Sequence, residues 1–140
     1  MPVRSASATW QGGRGGKGSF RGRTGLAGAY SFGSRFEEAE GSNPEELLAA
    51  AEAACYSMAL AGALERNGTV ATQIDTGAKC TIEKVGDAFT ITTMALDVKA
   101  SVPNLDAAAF AKIAEATKST CPVSRALGGS VRIELKAQLA

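Results

Sequence analysis

The chain has 140 residues, of which 45% are hydrophobic and 21% charged, and its formal net charge is +1. That length and balance suit one folded domain over residues 1–140, and no bulk field points to nucleic acid or an anionic membrane. The absence of histidine excludes Ser-His and Cys-His catalysis and every His-ligated metal, and three cysteines without a CxxC spacing make a poor zinc set.

Residues 1–40 read as short strands joined by Gly-rich turns: SATW, then the turn QGGRGGKG, then the extended pieces SFRGR and AYSF. Arg4, Arg14, Lys17, Arg21, Arg23 and Arg35 all precede the first acid, Glu37. A basic arm is one reading of that bias, and a solvated Gly-rich hairpin is the one adopted. The segment has too few apolar residues to fold alone, so it needs another surface, such as a second chain.

Residues 43–66 carry the marks of a long helix. Asn43 suits the N-cap, Pro44 the first helical position and Glu46 the capping-box position. Leu47, Ala51, Ala54, Cys55, Met58 and Gly62 recur at helical spacing and form the expected inner face. Gly68 stops the helix. Ile74, Thr76, Ala78, Cys80 and Ile82 then alternate along a strand, Gly86-Asp87 makes a turn, and Phe89 to Val102 returns as a second strand. A helix capped by Asp106 runs to about Ser119 and turns Phe110, Ile113 and Ala114 inward. Cys121-Pro122 opens a short helical turn that Gly128 closes, and Val131 to Leu139 alternates as the last strand. The order of elements indicates an α+β fold with mixed β-sheets around two central helices.

No apolar run reaches the roughly 18 residues of a membrane span, and the N-terminus lacks the apolar stretch of a signal peptide. The expected location is the cytoplasm, without membrane association. Structural disulfides are rare there, so the cysteines are either core residues or chemistry. Cys80 shares a strand face with Ile74 and Ile82 and reads as core. Cys55 sits midway along the long helix, where a buried thiol is inert unless a cation favours its thiolate. By local sequence Cys121 is the better candidate, because backbone N–H groups at the start of a helical turn favour a thiolate. Arg35 reads locally as a loop charge paired with Glu37 or Glu38.

The segments RFE, GSNPEELLAAAEAACYSMAL, VPNLDAAAF and CPVSRAL occur in this order over nearly the whole chain. Together they resemble the OsmC/Ohr family of osmotically inducible and organic hydroperoxide resistance proteins, the OsmC branch most closely. The resemblance reverses the ranking of the cysteines. It implies that Cys55 in AACYSMAL is peroxidatic and that Cys121 in CPVS is resolving. Arg35 in SRFE and Glu45 in NPEEL then correspond to the pair that stabilises the thiolate, Glu45 orienting Arg35. Arg14 is the second choice of cation. Glu52 departs from the family pattern, and Cys80 has no counterpart in it.

The activity implied is reduction of organic hydroperoxides, and more weakly of hydrogen peroxide, through a Cys55 sulfenic acid and a Cys55–Cys121 disulfide reopened by an external, lipoyl-type dithiol. It needs no cofactor. Phe36, Tyr56, Met58, Phe110 and Leu127 are candidates for the wall of an apolar substrate pocket, with ordinary core as the alternative for each. The competing activities are a thiol hydrolase and a hydrophobic-ligand-binding protein on the same fold. Glu45 and Cys55 are ten residues apart on one helix, about 15 Å along its axis. A site assembled at a dimer interface is therefore expected, and the resemblance implies that the homodimer is intertwined.

Overall fold

A computed structural model describes residues 1–140. The chain runs β1 (Ala6–Gln11), β2 (Lys17–Gly22), β3 (Ala27–Tyr30), α1 (Phe32–Phe36), α2 (Pro44–Arg66), β4 (Gln73–Val85), β5 (Ala88–Ser101), α3 (Ala107–Thr117), α4 (Pro122–Leu127) and β6 (Arg132–Leu139). Two three-stranded sheets result, ordered β1-β2-β3 and β4-β5-β6. This is the α+β class expected from the order of elements. Contacts divide the chain into two units, Met1–Leu47 and Leu48–Ala140.

In the first unit β1, β2 and β3 pair antiparallel. No large apolar side chain is fully buried there; Ser34 and Glu45 are its buried residues. The expected extended piece AYSF breaks after Tyr30. Ser31 instead caps α1, its Oγ accepting from the Ser34 N–H while the Ser34 Oγ accepts from the Ser31 N–H. This reciprocal pair satisfies two helix-end donors and outweighs the β preference of Phe32. Asn43 caps α2 as expected, its Oδ1 accepting from the Glu46 N–H at 2.8 Å. The Glu46 carboxylate does not complete the capping box; it accepts from the Ser42 hydroxyl.

The second unit holds the core. β4 and β5 form an antiparallel hairpin through Gly86-Asp87, with Gly86 in the left-handed region at φ 62°. β6 adds parallel to β5, as a crossover through α3 and α4 allows. Along β6 Ile133, Leu135, Ala137 and Leu139 are half-buried and alternate with exposed Arg132, Glu134, Lys136 and Gln138. Tyr56, Leu60 and Leu64 of α2 meet Leu96, Val98 and Ala100 of β5, Phe110 and Ala114 of α3, and Cys121. Each of the larger side chains contributes about 1.5–3 kcal/mol by burial.

Further expectations are refined or corrected here. The buried stripe of α2 is Glu52, Tyr56, Leu60 and Leu64, whereas Ala51, Ala54 and Met58 are exposed. α2 is also long and apolar enough to qualify as a membrane span by length and composition, with a mean hydropathy of 1.6, although Tyr56, Leu60 and Leu64 bury their side chains in a protein core. Cys80 is half-buried and lies outside the core cluster. The closing residue of α4, Gly128, stays right-handed at φ −63°, its N–H donating to the Ser124 carbonyl.

Candidate active site

α2 and α4 bring two thiols together. Cys55 lies one residue before Tyr56 on α2, half-buried, and Cys121 is the wholly buried N-cap of α4. Pro122 follows at the first helical position, where it needs no N–H partner. The Cys121 side chain and the Val123 backbone N–H both lie close enough to the Cys55 sulfur to act on its proton. Burial pushes the Cys55 thiol up. The Val123 N–H pulls it down, and the Cys121 and Glu52 neighbours raise it further.

Glu52 completes this cluster, and its part in it was not legible as a motif. It stands three residues before Cys55, so both project from one side of the helix. Its Oε1 accepts from the Ser124 hydroxyl in a very short hydrogen bond and from Cys121 Sγ at 3.8 Å. Ser124 is the third residue of α4, which turns it toward the same carboxylate as its N-cap. Glu52 is 0% exposed, and its Oε2 has no hydrogen-bond partner. The signal in the sequence was the i, i+3 spacing of Glu52 to Cys55 and of Cys121 to Ser124.

Arg35 and Glu45 belong to the first unit. The α1 cap fixes Arg35 in the last turn of a short helix, and Pro44 starts α2 one residue before Glu45. Arg35 Nε donates to both Glu45 oxygens at 3.1 and 3.2 Å, and its Nη2 donates to Oε1 at 2.7 Å. The forked geometry orients the guanidinium as a lysine could not. The Arg35 guanidinium lies 5.1 Å from the Phe36 ring centre, and that of Arg14 lies 4.4 Å from the Phe32 ring centre.

The five candidate pocket residues do not form one wall. Tyr56 and Phe110 are wholly buried in the second unit's core, Met58 is 72% exposed on α2, and Leu127 and Phe36 are half-buried, the latter in the first unit. A groove of about 910 Å3 in the second unit runs along Ala53, Ala54 and Ser57 of α2 and residues of β4 and β5. Neither Cys55 nor Cys121 lines it, so volume and chemistry point to different places. The two thiols and Glu52 lie together away from this groove. No group of three or more His, Cys, Asp or Glu side chains is arranged to hold a metal ion.

Comparison with known proteins gives consistent relatives. The family model described as OsmC-like protein matches residues 37–136. The protein named peroxiredoxin OsmC of Escherichia coli K12 is 40% identical over 134 residues, covering 94% of each chain. The crystal structure of the organic hydroperoxide resistance protein OhrB of Bacillus subtilis superposes with a TM-score of 0.75 at 25% identity, covering 96% of this chain and 98% of that one. An OsmC-like protein of Mycoplasma pneumoniae, at 13% identity, shares the fold with a TM-score of 0.78 over 99% of this chain and 98% of its own.

Proposed function

This chain belongs to the OsmC-like protein family, and we propose that it is a hydroperoxide-reducing thiol peroxidase that works through Cys55 and Cys121. The observation that carries this reading is the adjacency of the two thiols, Cys55 on α2 and Cys121 at the head of α4. Its relatives include a named peroxiredoxin and an organic hydroperoxide resistance protein.

The Cys55 sulfur attacks the distal oxygen of ROOH, the O–O bond breaks, and an alcohol leaves a sulfenic acid on Cys55. Cys121 displaces the hydroxyl and closes the disulfide, and an external dithiol, of lipoyl type, reopens it by exchange. Because Cys55 is raised by burial, its thiolate needs a cation. Arg35, held by Glu45, supplies that charge and offers N–H donors to the peroxide oxygens. Residues 1–140 act as one functional domain within a homodimer in which both copies contribute to each site. The half-buried thiol suits organic hydroperoxides better than hydrogen peroxide, and the core role of α2 fits a soluble, cytoplasmic protein.

The test is consumption of an organic hydroperoxide and of hydrogen peroxide with a dithiol donor. The wild type turns over both, the organic substrate faster. Cys55→Ser consumes neither, and Cys121→Ser loses multiple turnover. Sustained turnover by Cys55→Ser defeats the assignment, and sustained turnover by Cys121→Ser points to a one-thiol activity instead.

A further inference from the structure

A carboxylate with no exposed surface is costly to keep in a protein core unless its charge is matched. Glu52 occupies the first position of the α2 stripe that Tyr56, Leu60 and Leu64 continue, where an apolar residue would stabilise the fold more. No cation pairs with it. Its Oε1 meets the Ser124 hydroxyl and the Cys121 thiol, and its Oε2 meets nothing in the protein.

The direction of these hydrogen bonds follows from donor chemistry. The carboxylate oxygen accepts, so the Ser124 hydroxyl and the Cys121 S–H both donate to Glu52 Oε1. Cys55 lies beside Cys121, so the three groups form one cluster in which the Cys121 proton is directed at the carboxylate. The titratable groups around Glu52 are Cys55 and Tyr56 on α2 and Cys121 at the head of α4, while Glu115 on α3 acts on Tyr56.

We propose that Glu52 is a catalytic residue of disulfide closure, the base that removes the Cys121 proton as that sulfur attacks the oxidised Cys55. The proposal rests on the peroxidase reading above and adds a residue to it. The step balances without a further reactant. The Cys121 sulfur gives an electron pair to the new S–S bond, the Cys55 S–O bond breaks with its pair on the hydroxyl, and the proton taken by Glu52 completes a water molecule. Glu52 ends as it began. Ser124 is a positioning residue that holds Oε1 against the Cys121 sulfur.

The same charge works against the first step, because Glu52 raises Cys55. Glu52→Gln therefore affects the two half-reactions in opposite directions, an effect that mere loss of packing does not produce. The reduced protein is mixed with one equivalent of cumene hydroperoxide, with sulfenic acid trapped by dimedone and disulfide followed by free-thiol loss. In Glu52→Gln, sulfenic acid forms at least as fast as in wild type, closure slows about 100-fold, and the sulfenic acid becomes trappable. Glu52→Asp recovers part of the closure rate, and Ser124→Ala slows closure about 3- to 10-fold if misplacing the base loses only part of its contribution.

A second arm needs no peroxide. Cys55 is converted to its mixed disulfide with thionitrobenzoate, and attack by Cys121 releases the coloured thiolate. Glu52→Gln slows this release as well. Wild-type closure rates in Glu52→Gln and Ser124→Ala in this arm overturn the role of Glu52. A wild type that leaves hydroperoxide untouched yet shows the Glu52 effect in the second arm defeats the peroxidase reading alone.

Discussion

At the sulfur of Cys55 two influences oppose each other. Burial, Cys121 and Glu52 hold the proton on, and the Val123 N–H favours its loss. A buried thiol without a matched cation is a poor nucleophile at neutral pH, which is why the Arg35–Glu45 pair matters to the proposed chemistry. Arg35→Lys keeps a positive charge but loses the fork that Glu45 grips through Nε and Nη2. We expect iodoacetamide to alkylate Cys55 about tenfold more slowly at pH 7 in this variant, the equivalent of about one pKa unit. The midpoint of the pH–rate profile moves to higher pH. An unchanged midpoint in Arg35→Lys and in Arg35→Ala removes Arg35 from the thiolate's support. The family resemblance singled out Cys55, Cys121, Arg35 and Glu45 because each sits in a distinctive string. Glu52 stood in an Ala-rich run where a charge ordinarily faces solvent, and only the position of α4 shows that it does not.

At the scale of elements, strands were easier to place than helix faces. β4 and β6 alternate strictly, and a period of two leaves little doubt about the inner face. α2 is apolar nearly all round, so its small residues fit either side. Ala51, Ala54 and Met58 were indistinguishable by spacing from the true stripe of Tyr56, Leu60 and Leu64. What fixes the orientation is a polar detail. The Tyr56 hydroxyl donates to the Ala114 carbonyl at 2.7 Å, one of the last four carbonyls of α3, which lack a helical donor. Tyr56→Phe leaves that carbonyl unpaired and lowers stability by about 1–2 kcal/mol in urea unfolding at pH 7. The sign of the pH dependence follows from burial, which pushes the Tyr56 hydroxyl well above the ordinary tyrosine range. Below about pH 10 neither folded nor unfolded Tyr56 is ionised. Above it the unfolded chain loses the proton first, so wild-type stability falls as pH rises. The gap between wild type and Tyr56→Phe therefore narrows as pH rises from about 10 to about 11. A gap that stays constant shows that Tyr56 titrates as it would in water.

For the whole molecule, the question is what covers the apolar surface left open. Ala50, Ala51, Ala54, Met58 and Ala61 form an exposed line along α2. Beside it the groove of about 910 Å3 presents Ala53, Ala54, Ile74, Ala78 and Leu96. In the first unit Trp10 and Leu26 are exposed, and no large apolar side chain is fully buried. Apolar area of this extent on a small chain marks an interaction surface, and small residues permit close helix approach. A second copy is the occupant that the proposed shared site requires, since Glu45 and Cys55 are separated by ten residues of one helix. Met58→Asp places a charge on this line at a side chain that is 72% exposed in the single chain, so its own fold bears little cost. Sedimentation at micromolar concentration is expected to show a dimer for wild type and a monomer for Met58→Asp. Under the proposed shared site, the monomer also loses peroxidase turnover while its urea-unfolding slope reports a folded second unit. Full turnover in a verified monomer means that one chain carries a complete site. A wild type that sediments as a monomer leaves the α2 line to a different partner.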